Sequence, residues 1–298
     1  MQAIVSIVLD SLSYAAWIFL ASVGMTLAFG VMKILNVAHG SFYTLGAYGA
    51  ATLIGAWFNR GGAPMGSFAL LFVAALAVAG TAGLAIERGL MRRLYGRDEV
   101  VIALATYAGF LMLEDLVPLV WGLDAVPAYQ PYSLLGTVAI LGLKSNVYDL
   151  ALIGLAAAVA GGAWLVLART PQGLLVRSVM HDAEGAAAFG VNVGRVYLLC
   201  FLASAFLGAL AGAATAPMIS VAPGIGVEVV VVSFAVVVIG GLGSIPGALL
   251  GAVIVGGCRA VAIYFAPYLE LFAIYGVMVA VLIVRPNGLF AARAPRKI

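Results

Sequence analysis

Long apolar stretches alternate with short polar segments along the whole chain, and this pattern sets the first expectation for its architecture. Nine such stretches cover residues 12–31, 37–58, 68–86, 100–121, 147–167, 196–216, 227–239, 245–266 and 269–284. A helix of about 20 apolar residues is long enough to cross a hydrocarbon core of about 30 Å. The pattern therefore predicts an all-α polytopic membrane protein with about 8–10 transmembrane helices, folded as a single transmembrane domain over residues 1–298.

Two places in this pattern are irregular, and we expect broken or re-entrant segments there. The stretch 227–239 has 13 residues, or about 20 Å of helix, and it runs into a glycine-rich loop. Residues 33–41 interrupt the first two spans in a similar way. Non-helical backbone at membrane depth needs surrounding protein or a water-filled cavity for its polar groups. The breaks supply eight candidate residues of a translocation pathway: Asn36, His39, Gly40, Ser41, Gly240, Gly241, Gly243 and Ser244.

A purely structural role is the alternative for the first break. The side chains of Asn36, His39 and Ser41 can hydrogen-bond the free backbone groups of a broken helix end. Both breaks also follow one plan, in which an apolar helix, a glycine-containing break and a small-residue helix follow each other. This shared plan indicates an internal repeat of the kind found in transporters.

A polar island at residues 177–195 stands out between two apolar spans. Asp182 can cap a helix by accepting a bond from a free backbone N–H group, and Glu184 favours the same positive helix end. Gly190 is suited to the residue that follows the last helical turn. The small residues between them predict a short, smooth-faced helix at the membrane surface. Such a helix favours docking to another protein over catalysis.

The distribution of basic residues predicts the orientation in the membrane. The chain is 64% hydrophobic and 9% charged, whereas a soluble protein carries about 25% charged residues. Only Arg60 and Lys144 fall on one side of the predicted bundle. Twelve basic residues fall on the other side, namely Lys33, Arg88, Arg92, Arg93, Arg97, Arg169, Arg177, Arg195, Arg285, Arg293, Arg296 and Lys297. The positive-inside rule then places the N-terminus outside and the C-terminus in the cytoplasm.

Several classes of chemistry are disfavoured by the residues present. The sequence contains no phosphate loop, no GxSxG, no HExxH and no paired-cysteine zinc spacing, so we expect no bound cofactor. His39 with Ser41 is the one candidate pair for an intramembrane enzyme, and its spacing does not bring the side chains together on a helix. Cys200 and Cys258 are expected to be buried thiols.

Charged residues within the spans bear on gradient-driven transport. Glu114, Asp115, Glu228 and Glu270 are expected at outer helix ends, where charge is tolerated. Arg259 lies deeper, so it is expected to extend towards the surface or to pair with Glu270 or Glu228. An ion relay would need carboxylates near the middle of the membrane. Their absence argues against a gradient-driven transporter or channel, which stays an alternative.

Two loops complete the sequence-based picture. Residues 88–99 are predicted to be a basic cytoplasmic loop. Residues 122–146 form the longest external segment, and the alternating TVAILGL within it suggests a short hairpin.

Four motifs resemble signatures of the branched-chain amino acid ABC transporter permeases, specifically the first of their two permease types. GMTLAFGVMKILNVAHGSFYTLGAY (24–48) is similar to the first signature and IGGLGSIPGALLGA (239–252) to the second. HDAEGAAAFGVNVGRV (181–196) resembles the cytoplasmic coupling segment, and RPNGLF (285–290) resembles the C-terminal end. Many relatives carry proline where this chain has Ala183, and docking should survive that change because Asp182 still caps the turn.

The resemblance implies a non-enzymatic importer subunit of the bacterial inner membrane. It implies as partners a second related permease, two ABC ATPase subunits that bind ATP, a periplasmic substrate-binding protein and membrane lipid, with no nucleic acid. The coupling segment, residues 176–195, would dock into an ATPase through Arg177, His181, Asp182, Glu184, Ala187, Gly190 and Asn192. The expected substrates are branched-chain or similar small, partly apolar amino acids; urea, short amides and aromatic acids are the alternatives.

Overall fold

The computed structural model describes residues 2–290, and helices account for most of them. In chain order they are α1 (Gln2–Met32), α2 (His39–Asn59), α3 (Pro64–Leu94), α4 (Glu99–Trp121), α5 (Gln130–Leu134), α6 (Val147–Arg169), α7 (Pro171–His181), α8 (Ala183–Ala188), α9 (Val193–Thr215), α10 (Ile225–Gly240), α11 (Ile245–Phe265) and α12 (Glu270–Val284). A 3₁₀ turn, Pro267–Leu269, precedes α12. Strands β1 (Thr137–Ile140) and β2 (Leu143–Asn146) pair antiparallel, which confirms the predicted hairpin.

Each of the nine predicted spans falls on a helix, so the all-α membrane fold is confirmed. Seven helices in residues 2–290 are long and apolar enough to cross a membrane. Helix α10 stays short at 16 residues, or about 24 Å. Helix α1 starts ten residues before the predicted span, because the polar residues Gln2, Ser6 and Asp10 kept its first turns out of the apolar stretch although these turns are helical.

The predicted basic loop at residues 88–99 is wrong in its first half. Helix α3 opens with a 3₁₀ turn, Pro64–Gly66, and continues through π turns at Ala79–Gly83 and Glu87–Met91 to Leu94. Arg88, Arg92 and Arg93 therefore lie on a helix. The true loop is only four residues long, and Asp98 ends it by accepting a hydrogen bond from the Val100 N–H group at 2.8 Å.

The helices divide into an inner and an outer set. In the apolar window of α1, 83% of residues are buried by other parts of the chain, whereas 11% are buried in α6 and 6% in Pro267–Val284, which contains α12. Helix α1 packs against α9, α10 and α11, and α2 packs against α9. The outer helices thus leave large apolar faces for lipid or another subunit.

Glycine residues let the inner helices touch backbone to backbone. A Cβ atom on Gly212 of α9 would lie closer than 3.0 Å to the Tyr43 backbone of α2, and one on Gly208 would meet the His39 ring. Gly208 and Gly212 are four residues apart, so this small-residue pair brings one face of α9 directly against α2. Gly256 brings α11 equally close to α1 at Ser11. Side chains at these positions would force the helices apart.

The structure shows which helix ends share a side of the bundle. On one side, the Leu289 N–H group donates to the Ile239 carbonyl at 2.9 Å, so the end of α10 meets the chain that follows α12. On the other side, Val126 after α4 pairs with Val221 before α10. These groupings agree with the two sides that the basic residues predict, and we call them the predicted cytoplasmic and external sides. Arg293, Arg296 and Lys297 lie outside the described residues.

Candidate coupling segment and helix breaks

The polar island forms two short helices joined at a sharp corner. Thr170 starts α7 by accepting a hydrogen bond from the Gly173 N–H group at 3.0 Å. Asp182 lies at the corner with extended backbone, and its Oδ1 atom accepts from the Gly185 N–H group at 2.9 Å. The predicted N-cap is therefore confirmed, although the helix that precedes it was not foreseen.

The far end of the segment is closed by backbone geometry. Gly190 has φ of +87°, a left-handed conformation that favours glycine. Its N–H group donates to the Ala187 carbonyl at 2.9 Å, and Val191 donates to the Ala186 carbonyl at 3.0 Å. Asn192 then starts α9 by accepting from the Arg195 N–H group at 3.0 Å. Gly190 thus ends the helix as predicted.

The seven predicted docking residues all lie on the exposed face of this segment. They are Arg177, His181, Asp182, Glu184, Ala187, Gly190 and Asn192. On the opposite face, Val179 and Ala186 are 3% and 6% exposed and pack into the apolar core. The segment is therefore anchored from within and open to a partner from outside.

Phe189 is the feature of this surface that sequence reasoning missed. Its side chain is 91% exposed, so the predicted smooth face carries a protruding aromatic ring. The available signal was that Phe189 is the sole Phe, Tyr or Trp in residues 177–195. Aromatic rings in such positions often become anchors of protein interfaces.

A cavity of about 340 Å³ connects the coupling segment with the second helix break. Arg177 and His181 line one wall, and Gly243 and Ser244 line the other. Lys33, at the end of α1, completes the lining on the same side. The structure thus brings two of the predicted coupling residues and two of the predicted pathway residues to one site.

The backbone of the second break is held tightly against its neighbours. Gly243 has φ of +84°, and a Cβ atom there would lie 2.7 Å from the Cα of Gly30 in α1. Ser244 starts α11 by accepting from the Gly247 N–H group at 3.1 Å. Gly240 lies directly on Gly247, and the two backbones leave no room for side chains.

The C-terminal motif RPNGLF closes the same break. Leu289 and Phe290 donate their N–H groups to the Ile239 and Gly240 carbonyls at 2.9 and 3.0 Å. These are carbonyls that the end of α10 leaves without helical partners. Gly288, with φ of +82°, lies against Gly241, which has φ of +99°. The end of the described chain therefore caps the short helix.

The first break penetrates deep into the bundle. The His39 Nε2 atom lies 2.9 Å from the Ala21 carbonyl oxygen. Ala21 is eleven residues before the end of α1 at Met32, or about 16 Å along the helix axis. The chain therefore returns from the end of α1 to mid-depth before α2 begins. This confirms a re-entrant segment.

Side chains satisfy the irregular backbone of this break. Asn36 Oδ1 accepts from the Ala38 N–H group at 3.1 Å, and Thr106 of α4 accepts from the Val37 N–H group at 3.3 Å. Ser41 donates to the Phe110 carbonyl at 3.4 Å.

The same four predicted residues are enclosed by neighbouring helices. Asn36, His39 and Ser41 are 2%, 3% and 1% exposed. A Cβ atom on Gly40 would lie 2.9 Å from both the Gly226 carbonyl oxygen and the Phe110 ring. In this structure the four residues hold α1, α2 and α4 together around the break.

Comparison with known proteins decides the family. Residues 7–282 match the profile of a family described as branched-chain amino acid transport system / permease component. The chain belongs to this permease family. No solved structure matches it.

Curated relatives of this permease cover nearly the whole chain. The high-affinity branched-chain amino acid transport system permease protein BraD of Pseudomonas aeruginosa is 27% identical, over 94% of this chain and 93% of its own. LivH of Escherichia coli, with the same description, is 27% identical over 94% and 92%. A probable branched-chain amino acid transport permease protein LivH of Methanocaldococcus jannaschii is 29% identical over 93% and 89%. These relatives are transport permeases, and this chain is a permease rather than an enzyme.

Glu114 of the permease corrects one sequence-based expectation. It was predicted at an outer helix end, where charge is tolerated, but it is only half-exposed between α2 and the start of α10. Its Oε1 atom accepts a hydrogen bond from Thr44 at 2.7 Å. Within residues 2–290, its Oε2 atom is buried without a hydrogen-bond partner. The difference arises because α2 begins at mid-depth, so it covers the outer half of α4.

Arg259 was predicted either to extend towards the surface or to pair with Glu270 or Glu228. Its Nη2 atom lies 2.6 Å from Glu270 Oε1, so it pairs with Glu270.

Proposed function

We propose that this permease is the transmembrane subunit of an ATP-driven importer for branched-chain amino acids. It receives substrate from a periplasmic binding protein and passes it across the bacterial inner membrane. The observation that carries the proposal is the exposed, fully capped segment of α7 and α8, which shares a cavity with the glycine-rich break. A permease that is driven by another protein needs such a connection between its docking surface and its helices.

The coupling residues act as one rigid surface in this proposal. An ATPase that closes on ATP would grip Arg177, His181, Asp182, Glu184, Ala187, Gly190 and Asn192. Because Val179 and Ala186 are buried in the core, movement of the segment must displace the helices around it. The cavity wall formed by Gly243 and Ser244 is the nearest part of the second break.

The two breaks have different roles on this view. Gly240, Gly241, Gly243 and Ser244 form the end of the pathway that lies beside the coupling segment. Asn36, His39, Gly40 and Ser41 hold the deep end, where α2 begins. Small hydrogen-bond changes at either place would shift a helix start, because both breaks lie at helix ends rather than within helices.

The proposed assembly contains a second related permease, two ABC ATPase subunits and the binding protein. The ATPases bind the ATP, and this chain itself holds no cofactor. The exposed apolar faces of α6 and α12 supply area for the second permease and for lipid. The N-terminus lies in the periplasm and the C-terminus in the cytoplasm.

The names of the relatives favour branched-chain amino acids over urea, short amides or aromatic acids as substrates. The decisive experiment is purification of the complex from its native membrane, followed by reconstitution into vesicles with the binding protein. We expect ATP-dependent uptake of leucine, and no uptake when the ATPases are omitted. Uptake by this chain alone, without ATP, would instead establish a gradient-driven transporter or channel.

A further inference from the structure

A second cavity, separate from the coupling segment, lies on the predicted external side. It has a volume of about 530 Å³ and is lined mainly by α1, α6, α10, α11 and α12. Small-molecule sites commonly measure about 300–1,000 Å³. Aliphatic residues such as Val232, Ile263 and Ile274 form part of its wall. Its size and walls therefore suit a small, partly apolar ligand.

Arg259 and Glu270 form an ion pair in the wall of this cavity, and Glu228 belongs to the same lining. The Arg259 Nη2 and Nε atoms lie 2.6 and 2.7 Å from the same oxygen of Glu270, and the guanidinium lies 4.0 Å from the centre of the Tyr14 ring. A guanidinium has five N–H donors, and this pairing uses two of them. The side chain is 27% exposed, so donors remain open to a second anion.

Two further carboxylates, those of Asp10 and Asp149, line the same cavity. Asp10 lies on α1 one helical turn before Tyr14, and Asp149 lies in the first turn of α6. The Asp149 Oδ1 atom is buried and has no hydrogen-bond partner within residues 2–290. A buried carboxylate oxygen without a donor is costly. A ligand ammonium group would supply the missing donor.

Charged groups of both signs therefore share this lining. Asp10 lies one helical turn from Tyr14, on which Arg259 stacks. The ammonium and carboxylate groups of an amino acid are attached to one carbon atom, and each reaches a partner about 3 Å away. A ligand that carries both groups meets carboxylates and a guanidinium in one cavity.

We propose that this cavity is a binding site for the zwitterionic head of an aliphatic amino acid, with Arg259 holding the carboxylate and Asp149 the ammonium group. The proposal rests on the proposed function and adds a place where substrate binds within this chain. The aliphatic side chain would lie against Val232, Ile263 and Ile274.

The test uses the purified full-length chain in lipid nanodiscs and isothermal titration calorimetry. The probes are L-leucine, 3-methylbutylamine, which lacks the carboxylate, and 4-methylpentanoate, which lacks the ammonium group. We expect leucine to bind at least about tenfold more tightly than either analogue. Arg259→Gln should weaken leucine binding by about tenfold and leave the amine within about twofold. Lys144→Gln, an exposed change in the external hairpin, is the control and should alter none of the affinities.

Two results would overturn the proposal. One is wild-type chain that does not distinguish leucine from the single-charge analogues. The other is Arg259→Gln chain in which leucine and the amine change by the same factor, since that pattern reports general damage. Should Arg259→Gln fail to fold, Glu270→Gln replaces it, because that variant keeps the guanidinium. The Glu270→Gln chain should still bind leucine more tightly than the amine. Loss of that preference also overturns the proposal.

Uptake by the reconstituted complex separates this proposal from the importer function. Normal KM and rate of leucine uptake with Arg259→Gln would defeat the cavity proposal alone. Absence of ATP-driven leucine uptake in the wild-type complex would defeat the importer function, even where the cavity binds leucine.

Discussion

The exposed ring of Phe189 offers the sharpest test of the docking surface. It is 91% exposed in the isolated chain, so Phe189→Ala should not change the stability of the permease itself. A large aromatic side chain presents about 200 Å². If the ATPase covers it, burial at about 25 cal/mol per Å² gives an upper limit of about 5 kcal/mol.

The expected loss of affinity is smaller than this limit. Association also costs motional freedom and leaves some polar groups imperfectly paired. Measured interface anchors commonly contribute about 2 kcal/mol or more. We therefore expect Phe189→Ala to weaken ATPase binding by about 2–3 kcal/mol, which corresponds to about 30- to 150-fold.

The assay is equilibrium binding of purified ATPase to the permease in nanodiscs, with a thermal melt of each permease variant. Phe272→Ala is the matched control, because that ring is 74% exposed at the predicted external end of α12. It should leave ATPase binding unchanged. Equal binding by wild type and Phe189→Ala would refute the assignment of this face as the docking surface.

Three further predictions concern packing and caps. Gly212→Leu should lower the melting temperature of the complex, because a Cβ atom at this position has no room against α2. The control Gly154→Leu should not lower it, because nothing lies within 4 Å of a Cβ atom there. Equal melting temperatures for the two variants would show that the helix contact is misplaced. Asp182→Ala removes a helix cap worth about 1 kcal/mol, so ATPase binding should weaken about fivefold, and Asp182→Asn should restore it. Gly190→Val strains a left-handed backbone by about 1–2 kcal/mol and should leave membrane insertion intact while uptake is lost; normal uptake would count against the coupling role.

The main features of the fold could be predicted from the hydrophobic pattern, because each membrane helix satisfies the hydrogen bonds of its own backbone. The number of these helices, and the short length of α10, follow from the number and length of the apolar stretches alone. The caps at Asp182 and Gly190 could also be predicted, since both depend on the chemistry of neighbouring residues. The ends of helices are harder to predict. Helix α3 continues to Leu94 although its arginines lie beyond the apolar stretch, since helical hydrogen bonds do not require apolar side chains.

The depth of the first break could not be predicted from the sequence. It depends on the His39 bond to Ala21 and on the Thr106 bond to Val37, both of which join residues far apart in the chain. The half-buried position of Glu114 follows from that depth. The external cavity likewise requires α1, α6 and α11 to meet, and spacing along one helix does not reveal such a meeting.

The capped corner between α7 and α8 separates shape from surface chemistry. Its form is fixed by the side-chain caps of Thr170, Asp182 and Asn192 and by the left-handed Gly190, while its remaining outward-facing residues take no part in maintaining it. Those residues are free to change without loss of the form. In the proposed importer, two permeases with different outer residues would therefore present the same contour to two identical ATPase subunits.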